Sequence, residues 1–190
     1  MKQMEEMILR EGKVLSGDIL KVGSFLNQNI DTELLRQMGE EIARLYEGCG
    51  VNKILTIEAS GIAIAAAVGL AMGVPVLFAK KHRTSNVDGD IYATKVHSFT
   101  HNWDYGVVVS RDYLLESDRV LVVDDFLAQG NALRGLMDLC EQANATLVGV
   151  AIAIEKCFAG AGDELRAQGV RIESLAMIES MSEREIVFRS

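Results

Sequence analysis

The amino-acid sequence predicts an α/β fold, with a central and mainly parallel β-sheet flanked by helices. Short runs of apolar, often β-branched residues recur along the chain, without the alternation of polar and apolar side chains typical of half-exposed strands. Continuous runs of this kind are typical of strands buried on both faces of a parallel sheet. Segments of helical length separate them, which is the order of elements in α/β proteins. We therefore expect a single domain over residues 1–190.

The predicted strands and helices alternate along the chain. Strands are expected at 53–57, 74–79, 120–123, 147–154 and 170–178. Helices are expected at 31–46, 61–72, 130–143 and 162–168. The first helix has apolar residues at amphipathic spacing, and its expected N-cap is Asp31 or Thr32. Residues 91–99 and 105–110 are typical of a hairpin, which we expect to project from the core because it interrupts the alternation.

Composition and charge exclude several classes of protein. The net charge of -8 argues against a nucleic-acid coat, which needs clustered Lys and Arg. The uncharged stretch 61–79 contains Gly73 and Pro75, so a helix followed by a strand explains it better than a membrane span. The charged first ten residues do not fit a signal peptide. An odd number of cysteines without paired spacing favours a reducing cytoplasm; these are Cys49, Cys140 and Cys157. From the charge and the hydropathy pattern we expect no nucleic-acid partner and no membrane partner.

The strongest motif follows the predicted strand 120–123. Four apolar residues are followed by two acids, Asp124 and Asp125, and then by a turn containing Gly130 that opens a helix. Ligands of parallel sheets gather at the carboxyl ends of the strands. Backbone N–H groups at a helix start suit a phosphate, and carboxylates accept hydrogen bonds from sugar hydroxyls. On spacing alone, a solvated acidic turn with a helix cap explains the segment equally well.

This segment resembles the phosphoribosyl pyrophosphate (PRPP) motif of the type I phosphoribosyltransferases. The resemblance implies that Asp124 and Asp125 are catalytic residues that bind the ribose hydroxyls. It also implies a phosphate loop, the segment that binds the 5-phosphate, made of Ala128, Gln129, Gly130, Asn131 and Ala132. Many members have Thr where this chain has Ala132, so backbone N–H groups must contribute more of the phosphate binding here.

Two further segments take PRPP-binding roles from the resemblance. Ala59 and Ser60 match the family's pyrophosphate loop, although a plain helix cap at Ser60 also fits the residues. Lys81 lies in the cationic cluster 80–83, which would otherwise be a solvated basic turn. The family places a mobile loop over about 82–107, and a small hood over the base within about 1–30 together with C-terminal elements.

The resemblance also implies the base site and the reaction. Lys156 would donate to the 6-oxo group of a purine and Phe158 would stack on its ring, with Leu20 and Asn27 contributed by the hood. The xanthine-specific branch matches best, which implies PRPP and xanthine as substrates and Mg²⁺ borne by the substrate. No metal site of the protein's own is expected, because no histidine has an acid at metal-ligand spacing. Family members are commonly homodimers.

Two alternatives stay open at this point. A hypoxanthine–guanine or adenine member of the same family would share every PRPP motif. A transcriptional regulator that retains the PRPP site as a sensor would need a DNA-binding domain or a basic face. The acidic net charge disfavours DNA, and we expect no room for a winged helix before the hood.

Overall fold

The computed structural model describes residues 1–15, 18–81, 90–98 and 103–189. Within these residues the helices are α1 (Lys2–Glu11), α2 (Thr32–Leu45), α3 (Gly61–Met72), α4 (Asn131–Gln142) and α5 (Ala161–Ala167). The strands are β1 (Lys13–Val14), β2 (Leu20–Lys21), β3 (Lys53–Ile57), β4 (Val76–Lys81), β5 (Ile91–Ser98), β6 (Trp103–Ser110), β7 (Arg119–Leu127), β8 (Thr146–Lys156), β9 (Ile172–Met181) and β10 (Ile186–Phe188). A π-helical turn at Gly23–Asn27 and a 3₁₀ turn at Cys157–Ala159 complete the assignment.

An eight-stranded sheet forms the centre of the described chain, in the order β10-β9-β8-β7-β3-β4-β6-β5. The five strands β9, β8, β7, β3 and β4 are parallel to one another. β10, β6 and β5 each pair antiparallel with the strand beside them. The predicted α/β class with a mainly parallel sheet is therefore confirmed. The antiparallel additions at both edges explain why the hairpin and β10 do not follow the strand–helix alternation.

The sheet is covered on both faces, as its apolar strands require. On one face α1, α2 and α3 pack on Ile54, Leu121 and Val123. On the other face α4 and α5 pack on the alternate side chains, including Leu55 and Val122. The carboxyl ends of the parallel strands all lie at the same end of the sheet, between the two helical layers.

The N-terminal segment lies across the first of these layers. Residues Met4 and Ile8 of α1 are fully buried, and the amino group of Met1 donates to the carbonyl of Leu175 on β9. β1 and β2 form a small antiparallel sheet, and buried Phe25 lies in the π-helical turn that follows it. α1 was not predicted, although Met4, Met7 and Ile8 have the spacing of one helix face, because the segment was considered only as a possible signal peptide.

The structure extends two predicted strands and corrects the placement of the hairpin. The strand predicted at 74–79 extends to Lys81, and the one predicted at 120–123 extends to Leu127 because it stays paired with β8. The hairpin does not project: β6 pairs with β4 through Lys80↔Val108 and Lys81↔Val107, and its buried valines face α4. Residues 82–89 and 99–102 of the expected mobile loop lie outside the described residues. No helix in the described parts of the chain is long and apolar enough to cross a membrane.

Candidate active site

A buried pair of acids lies near the end of β7. The side chain of Asp124 is only 6% exposed, and its Oδ1 accepts a hydrogen bond of 2.9 Å from the N–H of Asp125. Asp125 is half-buried, and its Oδ1 accepts from the N–H of Phe126 at 3.0 Å. Burial raises the pKa of Asp124 well above its ordinary value, and the neighbouring charge of Asp125 raises this pKa further. Any hydrogen-bond donor that reaches this carboxylate would stabilise its charged form.

The start of α3 lies directly beside this acid. A β-carbon added to Gly61 would lie 2.2 Å from Oγ1 of Thr56 and 3.1 Å from Oδ1 of Asp124, so only glycine fits there. Thr56 is fully buried, and its Oγ1 has no hydrogen-bond partner among the described residues. Our reading of the sequence missed Thr56, although a lone hydroxyl in the apolar strand β3 was a signal for it.

The segment 58–60 connects β3 to α3 and is bound to the next strand. The N–H of Glu58 donates to the carbonyl of Ala79 at 3.1 Å, and Oε1 of Glu58 accepts from the N–H of Lys81 at 2.5 Å. The peptide bond between Glu58 and Ala59 is cis. Ser60 precedes α3 but its side chain does not cap the helix, so the plain helix-cap interpretation of Ser60 is wrong.

Lys81 approaches the acid pair from β4. Its charge opposes the rise in the pKa of Asp124, and its Nζ lies 5.5 Å from the centre of the Tyr105 ring. The pKa of Tyr105 is itself raised, first by burial and then by the charge of Asp124. Tyr105 therefore belongs to the site as well. It was missed although its strand was predicted, because the sequence did not indicate that this strand pairs with β4, which carries Lys81.

The predicted phosphate loop joins β7 to α4. Gly130 precedes the helix with a φ of 76°, in the left-handed region that favours glycine. Nη1 of Arg134 donates to the carbonyl of Gln129 at 2.8 Å, and the side-chain amide of Asn131 donates to the carbonyl of His97 at 3.0 Å. Because the first N–H groups of a helix have no acceptor within the helix, this turn can hold an anion.

Lys156 ends β8, the strand beside β7. It is half-buried, and burial lowers its pKa. Its Nζ lies 5.4 Å from the centre of the Phe126 ring and donates to the backbone carbonyl of Asp18, two residues before Leu20. The ammonium thus lies between the acid-bearing strand and the N-terminal segment.

The other residues predicted for the base site lie on three different elements. Leu20 is buried on β2, whereas Asn27 is exposed at the end of the π-helical turn. Phe158 lies on the 3₁₀ turn after β8 and is 40% exposed, which leaves part of its ring open to a ligand. Among the described residues, no group of three or more His, Cys, Asp or Glu side chains is placed to hold a metal ion.

Comparison with known proteins finds a matching family model and relatives that cover the whole length of the chain. Residues 31–172 match the model of a family described as "Phosphoribosyl transferase domain". The chain is 51% identical to a xanthine phosphoribosyltransferase of Bifidobacterium adolescentis, over 100% of both chains. It is 50% identical to one of Moorella thermoacetica, over 97% of this chain and 94% of that one.

Solved structures show the same fold at low identity. An adenine phosphoribosyltransferase from Thermoanaerobacter pseudethanolicus superposes with a TM-score of 0.75 at 20% identity, covering 90% of this chain and 98% of that one. One from Giardia lamblia in complex with 9-deazaadenine gives 0.76 at 18% identity, covering 90% and 96%. Likeness at this level of identity concerns the fold and carries no information about the base.

The burial of Asp124 predicts an effect on stability. A raised pKa means that the folded protein prefers the neutral carboxyl, so stability is lost as the pH rises from the unfolded value near 3.9. Asp124→Asn should therefore raise the free energy of unfolding of the ligand-free protein at pH 7, by about 1 kcal/mol or more. Below about pH 4 the difference from the wild type should vanish.

Urea unfolding followed by circular dichroism at both pH values measures this effect. Asp112→Asn, at an exposed position, is the matched control and should change little. A loss of stability in Asp124→Asn at pH 7 would contradict the electrostatic account.

Proposed function

The chain belongs to the phosphoribosyl transferase family, and on that basis we propose that it transfers the 5-phosphoribosyl group of PRPP to xanthine. The products are xanthosine 5′-monophosphate and pyrophosphate, which makes the protein a purine-salvage enzyme. The observation that supports this most directly is the meeting of an acid pair, a glycine turn and a donor-only lysine at the ends of two adjacent strands, β7 and β8.

The acid pair and the phosphate loop suit the ribose 5-phosphate. Asp124 and Asp125 accept hydrogen bonds from the two ribose hydroxyls, and these bonds relieve the cost of burying the Asp124 charge. The 5-phosphate is bound at the start of α4 by the loop of Ala128, Gln129, Gly130, Asn131 and Ala132. Ala132 has no hydroxyl, so main-chain N–H groups supply the donors there.

The pyrophosphate is assigned to the side of the acid pair where β3 and β4 end. Ala59 and Ser60 lie at the start of α3, and Lys81 supplies a positive charge next to Asp124. A cation placed there stabilises the negative charge that accumulates on pyrophosphate as it leaves.

The chemistry of Lys156 favours an oxopurine. An ammonium donates three hydrogen bonds and accepts none, so it matches a carbonyl oxygen and not the amino group of adenine. In the ligand-free structure Lys156 already donates to a carbonyl, that of Asp18. Phe158 would stack on the ring, while Leu20 and Asn27 line the hood side. Hypoxanthine and guanine also carry an oxo group, and the assay below separates them from xanthine.

The reaction breaks the bond between C1′ of the ribose and the pyrophosphate oxygen, which keeps the electron pair. Positive charge develops on the sugar, N9 of xanthine forms the new bond to C1′, and the N9 proton passes to water. The protein forms no covalent bond in this scheme. Its contribution is to fix the ribosyl group and the base so that C1′ and N9 face each other.

Magnesium fits this site as a substrate-borne ion. Mg²⁺ prefers oxygen donors and retains water, and PRPP supplies phosphate oxygens. The described residues offer two adjacent carboxylates at the strand end, not a cage of three or more ligands. Asp125, the less buried of the two acids, would accept hydrogen bonds from water on such an ion. The ion would neutralise part of the pyrophosphate charge.

We also propose that the protein is a cytoplasmic homodimer. α3 has no charged residue on any side, yet its outer face is uncovered and Leu70 is 85% exposed. Arg36 and Glu40 of α2 border the same apolar groove, so a second copy related by a two-fold axis can pair opposite charges across it. Three free cysteines suit the reducing environment of the cytoplasm.

A panel of bases tests the proposed function. The purified protein is incubated with PRPP, Mg²⁺ and xanthine, hypoxanthine, guanine or adenine, and the nucleotides are identified by mass spectrometry. We expect xanthosine 5′-monophosphate to form fastest and adenosine 5′-monophosphate slowest. A preference for hypoxanthine or guanine would reassign the base. PRPP binding without turnover of any base, together with a mobility shift of purine-gene DNA, would favour the regulator.

The acid pair is tested by binding. The double variant Asp124→Asn/Asp125→Asn should bind PRPP about a hundredfold more weakly in calorimetry, because two charge-assisted hydrogen bonds are weakened. Its far-UV circular dichroism should match the wild type, and Asp112→Asn should bind normally. Equal PRPP affinity of the double variant and the wild type would remove the ribose role.

Lys156→Met tests recognition of the base. The change keeps the apolar stem and removes all three donors, so the KM for xanthine should rise about tenfold or more while the KM for PRPP stays within about twofold. Lys13→Met, exposed on β1, is the matched control. Equal losses for the two substrates would contradict a base-reading lysine.

A further inference from the structure

α5 lies between the two halves of the site and contacts both. On the side of the phosphate loop, a β-carbon on Gly130 would lie 3.0 Å from Cβ of Ala161, the first residue of α5. Arg134 bridges the same gap with its guanidinium. Nη1 donates to the carbonyl of Gln129 at 2.8 Å, and Nη2 donates to Glu164 of α5 at 2.7 Å.

On the side of the base, α5 is bound to the residue that precedes Lys156. Glu155 is fully buried, and its two carboxylate oxygens accept from Nη1 and Nη2 of Arg166 at 2.7 and 2.6 Å. Ser174 of β9 donates to the same carboxylate. A β-carbon on Gly162 would lie 2.0 Å from Oε1 of Glu155, so the first turn of α5 is pressed against this carboxylate.

The segment that carries Lys156 and Phe158 is thereby held at both ends. Glu155 fixes its start, and α5, which begins at Ala161, fixes its end. The two bonds from Arg166 are parallel and charge-assisted, which gives them a defined direction as well as strength. The Arg134–Glu164 pair is largely exposed, with side chains 39% and 58% accessible, so it adds little to stability and its effect is on position.

We propose that Arg134, Glu164 and Arg166 are positioning residues, which act through α5 to hold the base-reading segment 156–158 in register with the phosphate loop. This inference rests on the proposed function. One loop anchors the ribose 5-phosphate and the other the base, so α5 sets where N9 stands relative to C1′. Reacting atoms must come within about 3–3.5 Å of each other, and a displacement of about 1 Å lowers the rate strongly.

Three variants test whether these residues position the base-reading segment relative to the phosphate loop or only stabilise α5 itself. Glu164→Gln removes the charge from the bridge, and with it the charge-assisted bond from Arg134, but leaves the donation from Arg134 to Gln129. Arg166→Lys keeps a cation for the buried Glu155 and loses the pair of parallel bonds. The exchange Arg134→Glu/Glu164→Arg restores an ion pair to α5, whereas a carboxylate at 134 cannot donate to Gln129. The matched control is Glu41→Gln, which breaks an exposed pair with Arg44 of 2.8 Å on α2.

Steady-state kinetics with both substrates give the result. We expect Glu164→Gln to raise the KM for xanthine about twofold to fivefold and Arg166→Lys about threefold to tenfold, with the KM for PRPP within about twofold in both. The exchange should return the KM for xanthine to the wild-type value and leave the KM for PRPP raised. Glu41→Gln should change neither.

Other outcomes overturn the inference. A wild-type KM for xanthine in Glu164→Gln, or a failure of the exchange to restore it, would show that α5 does not couple the two loops. Either result leaves the proposed function intact if the wild type turns xanthine over. A wild type that makes no xanthosine 5′-monophosphate would overturn the proposed function itself, and this inference with it.

Discussion

The site depends on one costly feature, an acid buried near the carboxyl end of the central strand β7. Asp124 can lie there only because its neighbours leave space for it and supply polarity: Gly61 has no side chain, the N–H of Asp125 donates, and Lys81 offsets the charge. Gly61 begins α3, Asp125 follows Asp124 on β7, and Lys81 ends β4. The topology that brings these ends together is therefore a condition for the acid's position, and ligand hydroxyls would repay the remaining cost.

Most of the fold could be predicted because buried parallel strands have a strong sequence signal. The apolar runs in β3, β7 and β8 fixed the class, and the motif at Asp124 and Asp125 indicated the family, which the full-length relatives confirm. Strand ends were predicted less well. Asp124 and Lys81 are polar, so the sequence pattern stopped before them, whereas backbone pairing with β8 and β6 continues.

What the sequence could not predict was long-range packing around the site. Tyr105 reaches Lys81 only because β6 pairs with β4, and that register depends on valines that have no distinctive spacing. The buried Glu155 is another case. Read along the chain it is simply the acid before Lys156, and its two bonds to Arg166 become visible only in three dimensions. The roles assigned to individual site residues stay predictions.

The contact between Lys156 and the carbonyl of Asp18 has a consequence for the empty enzyme. If this lysine reads the base, the carbonyl of Asp18 accepts, in the ligand-free protein, a hydrogen bond from the ammonium that would otherwise go to the purine oxygen. An incoming base then exchanges one acceptor for another of the same kind. The net gain from this hydrogen bond on binding the base would then be smaller than for an ammonium without a partner.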